Sequence, residues 1–176
     1  RNIEMSVSMT TRSPRKGEID KVHYHFVDRE SFEKLIEEDG FMEYADVYGN
    51  FYGTPKRKVL EWINAGIDVI LDIDVQGAMQ IKKNYPEGVF IFILPPSLTE
   101  LKNRIKGRGS ETEETMARRL GEALNEIRCI DKYDYRVINE ELDVAIDRVR
   151  AIITAEQCKI NDEEVKRIVD KYEEVL

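Results

Sequence analysis

The sequence has few of the features that mark secreted or membrane-spanning proteins. Its 176 residues include two cysteines, Cys129 and Cys158, which have no CxxC spacing. We therefore expect reduced, packed thiols of a cytoplasmic protein and not a disulfide framework. No apolar run approaches the ~18 residues that a membrane span requires, so we expect no membrane partner.

Positive charge is outnumbered by negative charge overall, and several of the basic residues stand together in two places. The formal net charge is −8 at pH 7, whereas a nucleic-acid surface needs a basic stripe, so we expect no nucleic-acid partner. The first basic group comprises Arg12, Arg15 and Lys16. The second basic group comprises Arg104, Lys106, Arg108, Arg118 and Arg119. Two local arginine groups in an acidic protein favour small anionic ligands over polymers.

Apolar strands alternate with helical segments in the second half of the sequence. The strands are predicted at Asp68–Asp74, Val89–Leu94 and Tyr135–Ile138. This alternation predicts an α/β fold with a parallel sheet and right-handed crossovers. Short strands between residues 20 and 53, with a turn at Tyr48–Gly53, predict a small insert on that frame.

Two carboxylates close the first of these strands. Asp72 and Asp74 stand at positions i and i+2, so a continuing strand would turn both side chains to one face. Ligands of open α/β sheets bind beyond the carboxyl ends of the strands, and such a carboxylate can serve Mg²⁺ directly or through water. The alternative is that one of the two aspartates caps the following turn.

The segment Ser6–Arg15 is rich in hydroxyl groups and contains two arginines three residues apart. Guanidinium groups match phosphate oxygens bidentately, so Arg12 and Arg15 predict a phosphate site. Tyr24 and Tyr52 can add phenolic donors. A basic surface loop is the alternative interpretation.

The second basic group predicts a mobile lid. Like charges repel unless an anion gathers them, and a lid that closes over a triphosphate would use such a group. The alternative is a solvated helix face with i,i+4 pairs to Glu113 and Glu122.

Seven segments, taken in order, resemble the guanylate kinase family. They are SVSMTTRSPRKGE, HYHF, FMEYADVYGNFYGT, DVILDIDVQGA, FIFILPPS, RIKGRGSETEE with ARRL, and YDYRVIN. The resemblance covers residues 5–155 and implies a nucleoside monophosphate kinase fold of the P-loop type. Such a fold has a parallel sheet core flanked by helices, a small mixed GMP-binding insert and a helical lid.

The resemblance also implies a division of the chain. Residues 1–7 and 65–98 would belong to the core, residues 8–64 to the GMP-binding subdomain and residues 99–120 to the lid. Residues 121–176 would form the rest of the core and the C-terminal helices.

By this resemblance the protein is an enzyme of purine nucleotide metabolism that moves a phosphoryl group from ATP to GMP, giving ADP and GDP. GMP would be bound by Ser8, Arg12, Arg15, Tyr24, Glu43, Tyr52, Thr54 and Asp74. The implied catalytic residues are Arg104, Arg108, Arg119 and Asp72. Asp72 would hold Mg²⁺ through water, and Arg108 and Asn139 would contact ATP. Guanine presents N1–H and N2–H₂ donors that carboxylates can accept, whereas adenine lacks both, so Glu43 and Asp74 favour GMP.

The sequence departs from the family at its beginning. The family opens with a strand and a loop of the form GxxxxGK followed by Ser or Thr, and no Gly-Lys pair occurs here. We expect that residues upstream belong to the protein, and that these 176 residues alone use ATP poorly. The alternative is a non-catalytic guanylate-kinase-like domain that binds protein partners. The enzyme is expected to be a monomer or a homodimer.

Overall fold

The computed structural model describes residues 2–107, 113–160 and 162–174, and it divides the chain into two units, Arg1–Val89 and Phe90–Leu176. The elements of the first unit are β1 (Ile3–Met5), β2 (Met9–Thr10), β3 (His25–Phe26), α1 (Arg29–Glu37), β4 (Phe41–Val47), β5 (Asn50–Pro55), α2 (Lys56–Asn64), β6 (Asp68–Ile70) and α3 (Val75–Asn84). Strands β1 and β6 pair in parallel, and β3-β2-β5-β4 form a mixed sheet in that order.

The mixed sheet is built around the β4–β5 hairpin. Tyr48 and Gly49 form its two-residue turn, with φ values of 56° and 81°. Two positive φ values give the turn a twist that matches the right-handed twist of the flanking strands. The Gly49 amide also donates to the Asp46 carboxylate at 2.7 Å. The prediction of a turn across Tyr48–Gly53 is therefore wrong after Gly49, since the chain is already in β5 at Asn50.

Helix α1 packs on this sheet through an aromatic stack. Phe32 is fully buried, and its ring lies 4.4 Å from that of Phe41 and 5.4 Å from that of Phe51, centroid to centroid. Asp28 begins the helix by accepting a hydrogen bond from the Ser31 amide at 2.7 Å, which satisfies a donor that the first turn leaves open. The stack fixes α1 against the two strands that carry the candidate site.

Strand β6 is shorter than the predicted Asp68–Asp74. Its partner β1 ends at Met5, opposite Ile70, and the last bond between them runs from the Ser6 amide to the Ile70 carbonyl at 3.0 Å. Beyond Ile70 this segment has no ladder partner among the described residues, and it leaves the sheet and reaches Asp74, the residue that caps α3. The expectation that a strand holds Asp72 and Asp74 on one face is therefore wrong.

The second unit contains one parallel strand pair and helices. Its elements are β7 (Ile91–Leu94), α4 (Leu98–Gly107), α5 (Glu113–Ile127), a short 3-10 helix (Ile130–Lys132), β8 (Tyr135–Ile138), α6 (Leu142–Gln157) and α7 (Asp162–Glu173). Ile91 pairs with Tyr135 and Leu94 with Ile138. The parallel β7–β8 pair and the helices after each strand agree with the predicted α/β pattern.

The described residues include no helix that is both long and apolar enough to cross a membrane. Both cysteines are free thiols, as expected. Cys129 is half-buried, but Cys158 is exposed at the end of α6, so the expectation that both thiols are packed is wrong for Cys158.

Candidate functional site

Arg12 is the centre of a cluster in the first unit. Its Nε donates to the Tyr52 hydroxyl at 3.1 Å, and its Nη1 donates to the Ser13 carbonyl at 2.7 Å. Nη1 and Nη2 also donate to the two oxygens of the Glu18 carboxylate, at 3.0 and 2.9 Å. The side chains of Arg12 and Glu18 are only 13% and 18% exposed, so this bidentate pair is largely shielded from water.

The pair shifts the titration of both partners. Hydrogen bonding to Arg12, followed by a hydrogen bond from the Arg15 amide, lowers the pKa of Glu18 to about 2. The hydrogen bond to Glu18 in turn raises the pKa of Arg12 above its usual value. Glu18 was not among the predicted site residues, although it stands three residues after Arg15 in the same loop.

Tyr24 completes the cluster. Its ring meets that of Tyr52 edge-on at 5.9 Å, and the Arg12 guanidinium carbon lies 5.5 Å from the Tyr24 ring centroid. Burial, and then the neighbouring Tyr52, raise the pKa of the Tyr24 hydroxyl. The structure thus brings together Arg12, Tyr24 and Tyr52 from the predicted phosphate set. The Arg15 side chain is exposed, and it is the Arg15 backbone that joins the cluster.

A second cluster surrounds the carboxylate of Glu43. Glu43 lies in β4 and is 5% exposed, and Thr54 lies opposite it in β5 and is fully buried. The Thr54 hydroxyl donates to Glu43 Oε1 at 2.6 Å. Burial raises the pKa of Glu43 above its usual value, and the negative charge of Asp74 adds to this, while the Thr54 hydrogen bond opposes it. A buried carboxylate with one hydroxyl partner retains capacity to accept further hydrogen bonds.

Helix α3 approaches Glu43 through a glycine. Asp74 caps the helix, and its Oδ1 accepts from the Gly77 amide at 2.8 Å. A Cβ atom at Gly77 would lie 2.3 Å from Glu43 Oε2, so a larger residue would collide with the carboxylate. This role of Gly77 has no local signal in the sequence, because the collision involves a residue of a distant strand. Asp74 is therefore a capping aspartate, which was the alternative interpretation of the sequence. Its charge also acts on Glu43.

Ser8 and Asp72 lie in the connections next to these clusters. Ser8 is half-buried between β1 and β2, and its carbonyl accepts from the His25 amide at 2.9 Å. Asp72 is exposed between β6 and α3, and its charge contributes to the raised pKa of Tyr24. Within the described ranges, no three His, Cys, Asp or Glu side chains come together as a metal cluster. One exposed carboxylate nevertheless suits Mg²⁺, which commonly takes its other ligands from water and nucleotide phosphates.

The remaining predicted residues belong to the second unit. In α4, Arg104 Nε donates to Glu100 Oε1 at 2.8 Å, so this arginine pairs within its own helix. Arg119 is half-buried in α5. Asn139 follows β8 directly, and its amide donates to the Leu94 carbonyl at 2.7 Å. Arg108 lies outside the described residues.

Known proteins resemble this chain in both sequence and fold. The guanylate kinase family model matches residues 1–156. This chain belongs to the guanylate kinase family. Guanylate kinase from Halalkalibacterium halodurans is 51% identical over 99% of this chain and 83% of its own length. Guanylate kinase from Clostridium tetani is 54% identical over 91% of this chain and 77% of its own.

A solved member of the family has the same architecture. The crystal structure of guanylate kinase from Anaplasma phagocytophilum superposes with a TM-score of 0.77 at 39% identity, covering 90% of this chain and 78% of that one. The predicted fold class, an α/β fold of the nucleoside monophosphate kinase type, is therefore confirmed.

Proposed function

We propose that this protein transfers a phosphoryl group from ATP to GMP, giving ADP and GDP. The observation that carries the proposal is that β5 serves both clusters. Tyr52 and Thr54 stand at positions i and i+2 of this strand, so both side chains point to one face, roughly 7 Å apart along the strand. Tyr52 holds Arg12 and Thr54 holds Glu43, so the candidate phosphate and base sites lie side by side.

The Arg12 cluster would hold the GMP phosphate. Arg12, Tyr24 and Tyr52 combine a fixed positive charge with phenolic donors, which suits the oxygens of a phosphate dianion. Arg15 would add a second guanidinium from the exposed loop. Because the Arg12 side chain is already held by hydrogen bonds, little of its conformational freedom remains to be lost on binding.

The Glu43 cluster would read the base. Thr54 occupies Glu43 Oε1, and the same carboxylate can accept from the N1–H and N2–H₂ groups of guanine. Adenine lacks these donors and would leave a buried carboxylate without them, a cost that discriminates strongly against AMP. Asp74 lies beside Glu43 and would add a second acceptor, and Ser8 would contribute a hydroxyl.

The donor side of the reaction is assigned to residues outside these clusters. Asp72 would hold the Mg²⁺ that accompanies ATP, through water, and the ion would neutralise charge on the phosphates. Arg104, Arg108 and Arg119 would stabilise the charge of the transferred group from the lid, and Asn139 would contact ATP. Positioning and electrostatics account for most catalysis of phosphoryl transfer, so these residues need no covalent role.

The proposed partners of the enzyme are GMP and ATP, without nucleic acid or membrane. The enzyme would act in the cytoplasm as a monomer or a homodimer. The two free thiols support this location, since reduced cysteines are typical of that compartment. The alternative of a protein-interaction domain has no comparable support, because the relatives described above are named guanylate kinases.

Calorimetric titration with GMP and with AMP, beside a coupled assay of ATP-to-GMP transfer, tests the proposal. We expect GMP to bind at least ~100-fold more tightly than AMP, because AMP leaves the base site unsatisfied. Turnover by these 176 residues alone is expected to be low, since the sequence lacks the glycine-rich phosphate loop. A folded sample that does not bind GMP would contradict the proposal.

A further inference from the structure

Four hydrogen bonds join Glu18 to the candidate phosphate site. Its Oε1 accepts from Arg12 Nη2 at 2.9 Å, and its Oε2 accepts from Arg12 Nη1 at 3.0 Å and from the Arg15 amide at 2.6 Å. Its own amide donates to the Arg15 carbonyl at 3.0 Å. One carboxylate therefore joins the guanidinium of Arg12 to the backbone of the loop that carries Arg15.

These contacts use most of the donors of Arg12. A guanidinium has five N–H groups. One goes to Tyr52, one to Ser13 and two to Glu18, so over the described residues a single N–H on Nη2 remains. The Tyr52 hydroxyl accepts from Arg12 Nε, which leaves its own hydrogen to donate. Tyr52 is held by the pairing of β5 with β2 and β4, whereas the direction of the free N–H depends on how Glu18 holds Arg12.

We propose that Glu18 is a positioning residue for the phosphate of the nucleoside monophosphate. Its carboxylate holds Nη1 and Nη2 of Arg12, so that the remaining N–H on Nη2 and the Tyr52 hydroxyl can donate to one phosphate oxygen. It also closes the loop that carries Arg15. This inference rests on the proposed function, and it assigns to Glu18 no contact with the substrate itself.

The loop geometry favours a fixed Glu18 over one that the phosphate displaces. Arg15 and Glu18 are joined by two reciprocal hydrogen bonds, one through the Glu18 carboxylate and one through its amide. Gly17 lies between them at φ +89°, a left-handed conformation that glycine adopts without strain. Displacing the carboxylate would break this turn and release Arg12 together, so the guanidinium would lose the support that orients it.

The experiment compares GMP with guanosine, which has the same base and no phosphate. Each would be titrated calorimetrically into the wild-type chain, into Glu18→Gln and into the control Glu33→Gln. Glu33 also pairs with an arginine, Arg29, at 2.7 Å, but on the exposed face of α1. We expect Glu18→Gln to weaken GMP binding roughly 10-fold and to leave guanosine binding unchanged. Glu33→Gln should change neither.

A second background shows whether Glu18 acts through Arg12. With Arg12→Lys already present, the fork that Glu18 holds is gone, so adding Glu18→Gln should weaken GMP binding by less than ~2-fold further. If Glu18→Gln does not fold, Glu18→Asp keeps the charge but cannot reach both Arg12 and the Arg15 amide. It should then show a smaller loss that is again confined to GMP.

The outcomes separate the inference from the function on which it rests. Equal affinity of the wild-type chain for GMP and guanosine would contradict the proposed phosphate site itself. With that preference present, an unchanged or tightened affinity of Glu18→Gln for GMP would overturn the positioning role, and tightening would mean that Glu18 competes with the phosphate. A parallel loss of guanosine binding would overturn it as well, because only the fold would then depend on Glu18.

Discussion

Two glutamates of the first unit have opposite environments. Glu18 lies in a loop and faces the guanidinium of Arg12, which lowers the pKa of Glu18 to about 2. Glu43 lies in a strand and has the Thr54 hydroxyl beside it, and burial raises its pKa. The same side chain is thus fully compensated by a cation in one cluster and only partly compensated in the other.

The difference indicates that the two carboxylates have different roles. A carboxylate that is already paired with a cation can orient that cation but has little to offer a ligand. A buried carboxylate with few partners is costly, and a ligand that donates hydrogen bonds to it recovers part of that cost. We infer that Glu18 orients Arg12, whereas Glu43 would accept hydrogen bonds from the donors of guanine.

The largest expected effect comes from making Glu43 neutral. Glu43→Gln presents an amide N–H₂ or a single carbonyl where guanine needs acceptors, so GMP binding should weaken on the order of 100-fold. AMP binding should not weaken, which a parallel titration would measure. Glu61→Gln, on the exposed face of α2, is the matched control. Equal losses for GMP and AMP would show that Glu43 does not read the base.

Arg12→Lys should have the next largest effect. Lysine keeps the charge but cannot bond Glu18 and Tyr52 together, so we expect GMP binding to weaken on the order of 30-fold. Guanosine binding should stay as it is, because the base cluster is intact. Loss of guanosine binding in this variant would mean that the two clusters are not separable.

Gly77→Ala tests the close approach at Glu43. The new Cβ would lie 2.3 Å from Glu43 Oε2 and must push it aside, which should weaken GMP binding roughly 10-fold and cost about 1–3 kcal/mol of stability. Gly121→Ala in α5 is the control, since a Cβ there meets nothing within 4 Å. That change should stabilise the helix by about 0.5–1 kcal/mol. Unfolding in denaturant measures the stability of both variants. A Gly77→Ala variant more stable than the wild type would refute the collision.

The smallest expected effect is on the pH dependence of folding stability, to which the two glutamates should contribute with opposite signs. Glu18 stabilises the fold above its usual pKa of 4.5, and this is lost as the pH falls towards 2. The pKa of Glu43 is raised, so its ionisation destabilises the fold as the pH rises from 4.5 through the raised value. Unfolding free energies are measured from pH 2 to 7; the stability of Glu18→Gln relative to the wild type should fall as the pH rises, whereas that of Glu43→Gln relative to the wild type should rise. Parallel curves would contradict the assignment.

Much of the frame follows from the sequence. Strand β8 lies where its apolar run predicts it, because such a run is a local signal. The hairpin turn and the end of β6 were misplaced, since both depend on which strand lies alongside. A ladder that ends opposite Ile70 leaves no trace in the sequence of β6 itself.

The candidate site divides in the same way. The resemblance implied Arg12, Tyr24, Glu43, Tyr52 and Thr54 as site residues, and the structure gathers these side chains into two clusters. Glu18 and Gly77 were missed. Glu18 matters through the geometry of a loop, and Gly77 through the space that it leaves for a distant carboxylate, and neither property belongs to a single position.

Calorimetric titration of the wild-type chain and Glu43→Gln with GMP and AMP tests the central claim most directly. The account predicts that the wild-type chain strongly prefers GMP and that Glu43→Gln loses most of this preference while it remains folded. A folded wild-type chain that binds AMP as tightly as GMP, or a variant that keeps the full preference, would contradict it.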